Sequence, residues 1–337
     1  MKIIVTGGLG FIGSHTVVEL QSEGFEVIII DNLSNSSVNV LDGIFKITNQ
    51  KPIFENIDLR EKKSVQDLFK KYSDAVGVIH FAASKAVGES VENPLLYYEN
   101  NINTLVYLLQ EIQNISEPNL IFSSSCTVYG QAEVMPITEN ASVQPAISPY
   151  GNTKQIGEEI ITDVAKVTKL NSILLRYFNP IGAHETAEIG ELPIGVPQNL
   201  VPYITQTGFG LRKELSVYGN DYPTPDGTCV RDYIHVVDLA KAHVIAMKRL
   251  VNKTNLDKIE TFNLGTGTGS SVLEVIASFE KVSGQKLPYK IVARREGDVI
   301  SAYANTDKAN EILGWKAQST LDEALASAWK WEQKIRS

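Results

Sequence analysis

The sequence predicts an α/β protein, a doubly wound parallel sheet with a second, smaller α/β lobe, and two observations carry that expectation. Short β-branched runs alternate with amphipathic helical patterns from the first residue. After about Asn179 this alternation gives way to shorter elements separated by Pro- and Gly-rich loops such as "NPIGAHETAEIGELPIGVPQN" and "GNDYPTPDGT". The runs "KIIVT", "EVIII", "PIFENI", "VGVIHF", "NLIFSSS" and "NSILLRYFN" read as buried strands, near-continuous in apolar residues because a parallel sheet is covered on both faces. Helical patterns lie between them at Ile12–Ser22, Glu61–Lys71, Pro94–Gln113 and Ser148–Val167. Right-handed crossovers then wind helices onto both faces. Further on, "IHVVDLAKAHVIAMKRL" and "TFNLGTG" again read as helix then strand. Residues 235–264 are therefore expected to rejoin the first domain, residues 1–179, with 180–337 forming the second lobe.

At 337 residues and a formal net charge of −8, the chain can bury a large core and lacks the basic face that phosphate backbones require, so no nucleic-acid partner is expected. The opening "MKIIVTGG" enters a strand directly, and no apolar stretch reaches bilayer-spanning length, which predicts a cytoplasmic protein with no membrane partner. Cys126 and Cys229 are too few and too far apart for a metal motif or a disulfide framework. His235 and His243 have no third ligand at usual spacing, so no metal is expected and packing or ordinary hydrogen bonding is their reading. His80 lies in a strand and reads as core, and Cys126 as a small buried residue.

"TGGLGFIGSH" follows the first strand and opens a helix, with Gly7, Gly10 and Gly13 in a G-x-x-G-x-x-G arrangement. Such glycines allow a tight turn and close approach of a pyrophosphate to backbone N–H groups at a helix N-terminus. Strand before, helix after and an acid, Asp31, ending the second strand are the context that the dinucleotide fingerprint of a Rossmann sheet demands. The Asp31 carboxylate can accept from a ribose diol but would repel a 2′-phosphate, and no Arg stands in the turn or just after it, so NAD is favoured over NADP. Asp58, after the third strand, faces the adenine in the same manner or is a solvated loop carboxylate. "GTGTGSS" at Gly265–Ser271 lacks the Gly-Lys-Ser/Thr ending of a P-loop and reads as a strand-to-helix turn, N-capped by Ser270 or Ser271.

"SPYGNTK" puts Tyr150 and Lys154 on one helix face, which by itself is an ordinary arrangement for two polar residues. With "TGGLGFIG", "HFAA" and "SSSCTVYG" in order before it, however, the chain resembles the extended short-chain dehydrogenase/reductase family, whose Y-x-x-x-K pair matches Tyr150 and Lys154 and whose upstream Ser matches Ser125. The resemblance implies Tyr150 as general base, its phenolate favoured by a cationic Lys154 and by nicotinamide, with Ser125 bonded to the reacting hydroxyl. It also places Phe11, Ile12, Asn32, Asn35, Ser36, Leu59, Phe81, Ala82, Lys85, Asn100, Tyr177 and Phe178 in the NAD shell.

The later series "RYFNPIGAH", "QNLVPYI", "DGTCVRDYIHVVDLA", "NLGTGTGSSVLEV" and "RREGDV" is similar to that of family members which invert C4 of a UDP-hexose, so the match covers nearly the whole chain. It implies a UDP-sugar site of Asn179, Asn199, Leu200, Arg231, Tyr233, Arg295, Asp298 and Ala302, with the two arginines on the diphosphate. Ala302 falls where those enzymes border the hexose C2 substituent, which leaves room for an N-acetyl group. The helices at Pro94–Gln113 and Ser148–Val167 match the family's two-fold contact, which implies a homodimer. Two alternatives stand beside this reading. One is a nucleotide-sugar dehydratase, which would carry an acidic pair where Thr127 is followed by Val128 and Tyr129; the other is a non-catalytic NAD-binding scaffold.

Overall fold

A computed structural model describes residues 1–295 and 298–337. Its strands are β1 (Lys2–Thr6), β2 (Glu26–Asp31), β3 (Ile53–Asn56), β4 (Ala75–His80), β5 (Asn119–Ser125), β6 (Asn171–Tyr177), β7 (Asn179–Ile181), β8 (Leu215–Tyr218), β9 (Val230–His235), β10 (Ile259–Leu264), β11 (Gly269–Ser271), β12 (Tyr289–Val292) and β13 (Ser301–Ala302). Between them run helices α1 (Phe11–Ser22), α2 (Val40–Thr48), α3 (Lys62–Lys71), α4 (Val87–Glu92), α5 (Pro94–Tyr98), α6 (Thr104–Glu111), α7 (Pro149–Val167), α8 (Leu200–Gly208), α9 (Val236–Val251), α10 (Val272–Ser283) and α11 (Leu321–Arg336).

Seven strands form one parallel sheet in the order β10-β6-β5-β4-β1-β2-β3. Successive side chains alternate between its faces: Ile3 and Val5 pack into one core with α1 and α9, whereas Ile4 joins the other with α3, α6 and α7. Both faces are covered, which is why these strands are apolar throughout. The strand order reverses between β1 and β4, and such a switch point opens a crevice at the carboxyl ends of the strands. Helix α9 packs through Leu239, Ala242, Ala246 and Met247 into the first core, and β10 pairs with β6. A smaller lobe surrounds a separate core that includes Ile204, Tyr233, Phe279, Leu325 and Trp329.

Two elements differ from the periodicity. Helix α2 follows a polar run, "NLSNSSVN", that masks its short amphipathic pattern. The helix expected over Pro94–Gln113 is divided by a π-helical turn at Glu99–Asn103. At that turn Asn101 accepts from Ser84 N at 2.8 Å and donates to Ser84 O at 3.0 Å and to Thr153 Oγ1 at 3.0 Å. These long-range bonds hold the wider turn, a form that α-helices adopt most often at functional sites.

Candidate active site

The Gly-rich turn is shaped by backbone packing. A Cβ on Gly7 would lie 2.8 Å from Ala82 N, and one on Gly13 would lie 2.2 Å from Gly7 O, so neither position has room for a side chain. Gly10 is different: its nearest neighbour would be Gly7 O at 3.2 Å. It stands at the N-cap of α1, which has no side-chain cap and no acid in its first turn. The free N–H groups of that turn therefore face an anion site without a competing carboxylate.

Above the turn opens a cavity of about 820 Å³, large enough for a dinucleotide. Gly7, Gly10, Phe11, Ile12, Gly13, Asp31, Asn32, Asn35, Ser36, Asp58, Leu59, Phe81, Ala82, Lys85, Asn100, Tyr150, Lys154 and Tyr177 all line it. Asp31 accepts from Leu9 N at 3.1 Å, Leu33 N at 3.0 Å and Ser36 Oγ at 2.8 Å. That uses three of about four acceptor positions of a carboxylate and leaves one for a ribose hydroxyl. Asp58 is held down to about 2, chiefly by its hydrogen bonds from Arg60, whose charge is thereby answered. Phe178 does not line the cavity; it packs with Val128, Tyr129, Ile137 and Ala304 in a small satellite core.

Apart from Asn199, the sequence reading missed one wall of this cavity, the strap that runs from Gly190 to Gln198. Trp331 on α11 anchors it by donating to Glu191 O at 2.9 Å. Glu191 in turn accepts from Asn199 Nδ2 at 2.7 Å and lies 3.6 Å from Lys85 Nζ. No local pattern signals such a wall, because its partners stand far off in the chain.

Ser125 ends β5, and α7 begins with Ser148 as N-cap, its Oγ accepting from Gly151 N at 3.1 Å, and Pro149 in the first turn. That start sets Tyr150 at the head of the helix and Lys154 one turn later. Lys154 is buried, 5 % exposed; its Nζ donates to Ser123 O at 2.7 Å and lies 5.0 Å from the Phe122 ring centre and 5.8 Å from that of Tyr150. Burial lowers Lys154 to about 8, opposed by the Glu158 carboxylate. Burial raises Tyr150 to about 12 against the pull of the Ser125 hydroxyl. Desolvation thus dominates, and the protein's own groups hold Tyr150 as a phenol at neutral pH. Cys126, raised to about 11 by burial, is an inert thiol.

Of the residues expected to bind sugar nucleotide, Asn199 and Tyr150 line the cavity itself. Of the others, Asn179, Arg231, Tyr233 and Ala302 stand on neighbouring short strands, and Leu200, Arg295 and Asp298 lie outside the strands. Asn179 is in register with Tyr233, and Arg231 with Ala302. Arg231 Nη2 lies 3.3 Å from Asp298, while Arg295 stacks 4.5 Å above the Tyr218 ring. Leu200 follows Asn199 as the first residue of α8.

The remaining motifs have structural partners. Ser271, not Ser270, caps α10 in a reciprocal capping box with Glu274. The amides of the "GTGTGSS" turn are turned toward protein: Asp232 accepts from Thr266 N at 2.8 Å and Gly267 N at 3.1 Å. His235 caps α9, and His243 bonds to Leu239 O. Burial keeps His80 and His243 neutral, at about 3 and about 4. Among the described residues no group of His, Cys, Asp or Glu is arranged to hold a metal ion, and no helix is long and apolar enough to cross a membrane.

A Gly-turn cavity at the switch point of a parallel sheet, with a Tyr-x-x-x-Lys helix and a strand-end serine beside it, defines the extended short-chain dehydrogenase/reductase class. The family model described as GDP-mannose 4,6 dehydratase matches residues 4–328. The UDP-glucose 4-epimerase of Bacillus subtilis (strain 168) is 48% identical over 333 residues, 98% of this chain and 97% of that protein. A crystal structure of the UDP-glucose-4-epimerase from Stenotrophomonas maltophila, with bound NAD and formylated UDP-arabinopyranose, is 45% identical with a TM-score of 0.96 over 100% of this chain and 99% of that one. The UDP-Glc/GlcNAc 4-epimerase from Campylobacter jejuni is 32% identical with a TM-score of 0.84 over 99% of each chain. The chain belongs to the UDP-glucose 4-epimerase family.

Proposed function

We propose that this chain interconverts UDP-galactose and UDP-glucose by inversion at C4, with NAD held in the cavity above the Gly-rich turn. One observation carries the reading: Tyr150 and Lys154 line the wall of a cavity that fits a dinucleotide, and Ser125, which ends β5, hydrogen-bonds Tyr150 from just behind that wall. Bound there, NAD supplies the acceptor and donor of a hydride and a positive charge beside Tyr150. That charge favours the phenolate which burial otherwise suppresses. Tyr150 takes the proton of the C4 hydroxyl, Ser125 orients that hydroxyl, and Lys154 holds its own charge against the phenolate. Loss of the C4 hydrogen and the hydroxyl proton leaves a 4-keto sugar. Arg231 and Arg295 hold the diphosphate, so the hexose can turn and present its other face while the nucleotide stays gripped.

Dehydration is the poorer reading despite the name of the family model. Elimination needs an acid–base pair behind Thr127, and Val128 and Tyr129 there are fully buried, apolar or phenolic side chains. The cofactor domain comprises residues 1–179 with 235–264, and the remaining residues form the sugar lobe. The working environment is the reducing cytosol, in keeping with two free cysteines. A second copy of the chain covers the surface where Leu95, 80 % exposed, borders an apolar depression of about 390 Å³ shared with Tyr98, Ile102 and Ile156. A dimer mass by light scattering at micromolar concentration is the expected result, and a monomer would overturn that assembly.

Substrate range follows from Ala302. It is partly buried against the small core of Val128, Tyr129, Ile137, Phe178 and Ala304, and in register with Arg231. A methyl side chain leaves space there that a bulky aromatic would fill, and close-packed walls resist even one added methylene. Followed by NMR, the protein should convert UDP-galactose to UDP-glucose and also UDP-N-acetylgalactosamine to its gluco epimer. Ala302→Tyr should lower kcat/KM for the acetylated sugar selectively. Failure of the first conversion overturns the activity; unchanged discrimination in the variant overturns the role of Ala302 alone.

A further inference from the structure

Beneath the Tyr150–Lys154 pair lies a buried ionic network that the proposed chemistry does not use. Glu158, one turn beyond Lys154 on α7, is only 8 % exposed. Its carboxylate accepts from Ser124 Oγ at 2.5 Å and from Arg176 through Nε at 2.9 Å and Nη2 at 2.5 Å. Arg176 Nη1 donates to the Tyr129 hydroxyl at 3.0 Å, which donates to Asn263 Oδ1 at 2.6 Å. Asn263 then donates to Ile137 O at 2.9 Å, and Ile137 N donates to Tyr303 O, next to Ala302, at 2.9 Å.

This path runs past both flanks of Ser125, through the Tyr150–Lys154 helix and on to the residue beside Ala302. Ser124 immediately precedes Ser125, and Tyr129 ends the short turn that follows it, so both flanks of the serine are tied to one ion pair. A buried Arg–Glu pair recovers little more than its own desolvation, so stability alone is a weak reason for it, while a fully bonded network specifies geometry. We propose that Glu158 is a positioning residue of the active site, holding Ser125, the Tyr150–Lys154 helix and the strand of Ala302 in one arrangement through Arg176 and Tyr129. The proposal rests on the epimerase reading of the site.

Burial dominates the protonation of Lys154, and the Glu158 carboxylate is the group that opposes it. Around Lys154 stand Glu158 and Tyr150 from α7, neutral His80 from β4, and the Ser123 carbonyl and Phe122 ring from β5, while from β6 Arg176 is bonded to Glu158 and Tyr177 lines the same cavity. Removing the Glu158 carboxylate leaves Arg176 unanswered nearby, so the Lys154 ammonium is given up at a lower pH.

The test measures kcat, KM and the pH profile of NAD-loaded wild type, Glu158→Gln and Tyr129→Phe with UDP-galactose. In Glu158→Gln, kcat should fall about 10- to 100-fold, the scale of a small misplacement in a catalytic site, with KM nearly unchanged. Its alkaline limb should move to lower pH. Tyr129→Phe, which leaves the ion pair intact, should lower kcat without moving that limb. A folded Glu158→Gln with the wild-type kcat and alkaline limb overturns the proposal. If that variant does not fold, Tyr129→Phe decides: wild-type kcat in it overturns the positioning role, and reduced kcat at constant KM supports it. An inactive wild type would instead overturn the epimerase reading.

Discussion

Tyr150→Phe lowers kcat by about a thousandfold, the middle of the range for a general acid–base group, while NAD stays bound. The phenol oxygen is the only heavy atom removed, so what is lost is the proton-transfer group and its hydrogen bond to Ser125. The Gly-rich turn, Asp31 and the buried ammonium of Lys154 on Ser123 O are untouched. The protein's own groups put the tyrosine at about 12, so its usefulness as a base depends on charge brought into the cavity. Kinetics with UDP-galactose, together with nucleotide released on denaturation and counted per chain, check both halves. Activity within tenfold of wild type would remove Tyr150 from its role.

Gly13→Ala abolishes NAD retention and destabilises the fold by about 1–3 kcal/mol, the usual cost of forcing an added methyl into packed surroundings. The added Cβ would lie 2.2 Å from Gly7 O and 2.9 Å from the Gly8 Cα, and backbone atoms cannot rotate aside as a flexible side chain can. Gly10→Ala makes the contrasting case. Its Cβ meets only Gly7 O, at 3.2 Å, and its backbone is extended, so the fold should persist while the methyl group occupies the approach to the helix N-terminus. Thermal melts and bound-nucleotide counts on the two variants separate packing from ligand contact. Equal melting temperatures and full NAD in Gly13→Ala would show that the turn tolerates what its geometry forbids.

Much of this protein was legible in its linear order because the decisive signals are local. Five strands of the large sheet announce themselves as apolar runs, since burial on both faces removes alternation, whereas β3, read as a buried strand, lies at the sheet edge and is only partly buried. The anion site needs only a strand, three glycines and a helix in succession, and one helical turn is enough to put Tyr150 and Lys154 on the same face. The capping box of α10 also lies within four residues, though Ser270 and Ser271 were equivalent until Glu274 was seen to bond one of them. Helix α2 and the π-helical turn at Glu99–Asn103 were less legible, because a polar lead-in hid the first and contacts to Ser84 and Thr153 shape the second.

Chain order by itself therefore determined the sheet and the cofactor turn, properties of residues within a few positions of one another. The reactive pair was legible only through the ordered motifs that precede it, since its spacing alone is an ordinary one. Tertiary structure alone decided which groups surround that pair. Arg176 meets Glu158 from 18 positions away, Tyr129 meets Asn263 from 134, and Trp331 anchors the cavity wall at Glu191 from 140. Phe178, adjacent in sequence to a cavity residue, turns instead into a separate core. The protonation of Tyr150 and Lys154 belongs to the same category. Desolvation depends on everything packed around a group, and no spacing rule encodes how far burial will outweigh a neighbouring charge.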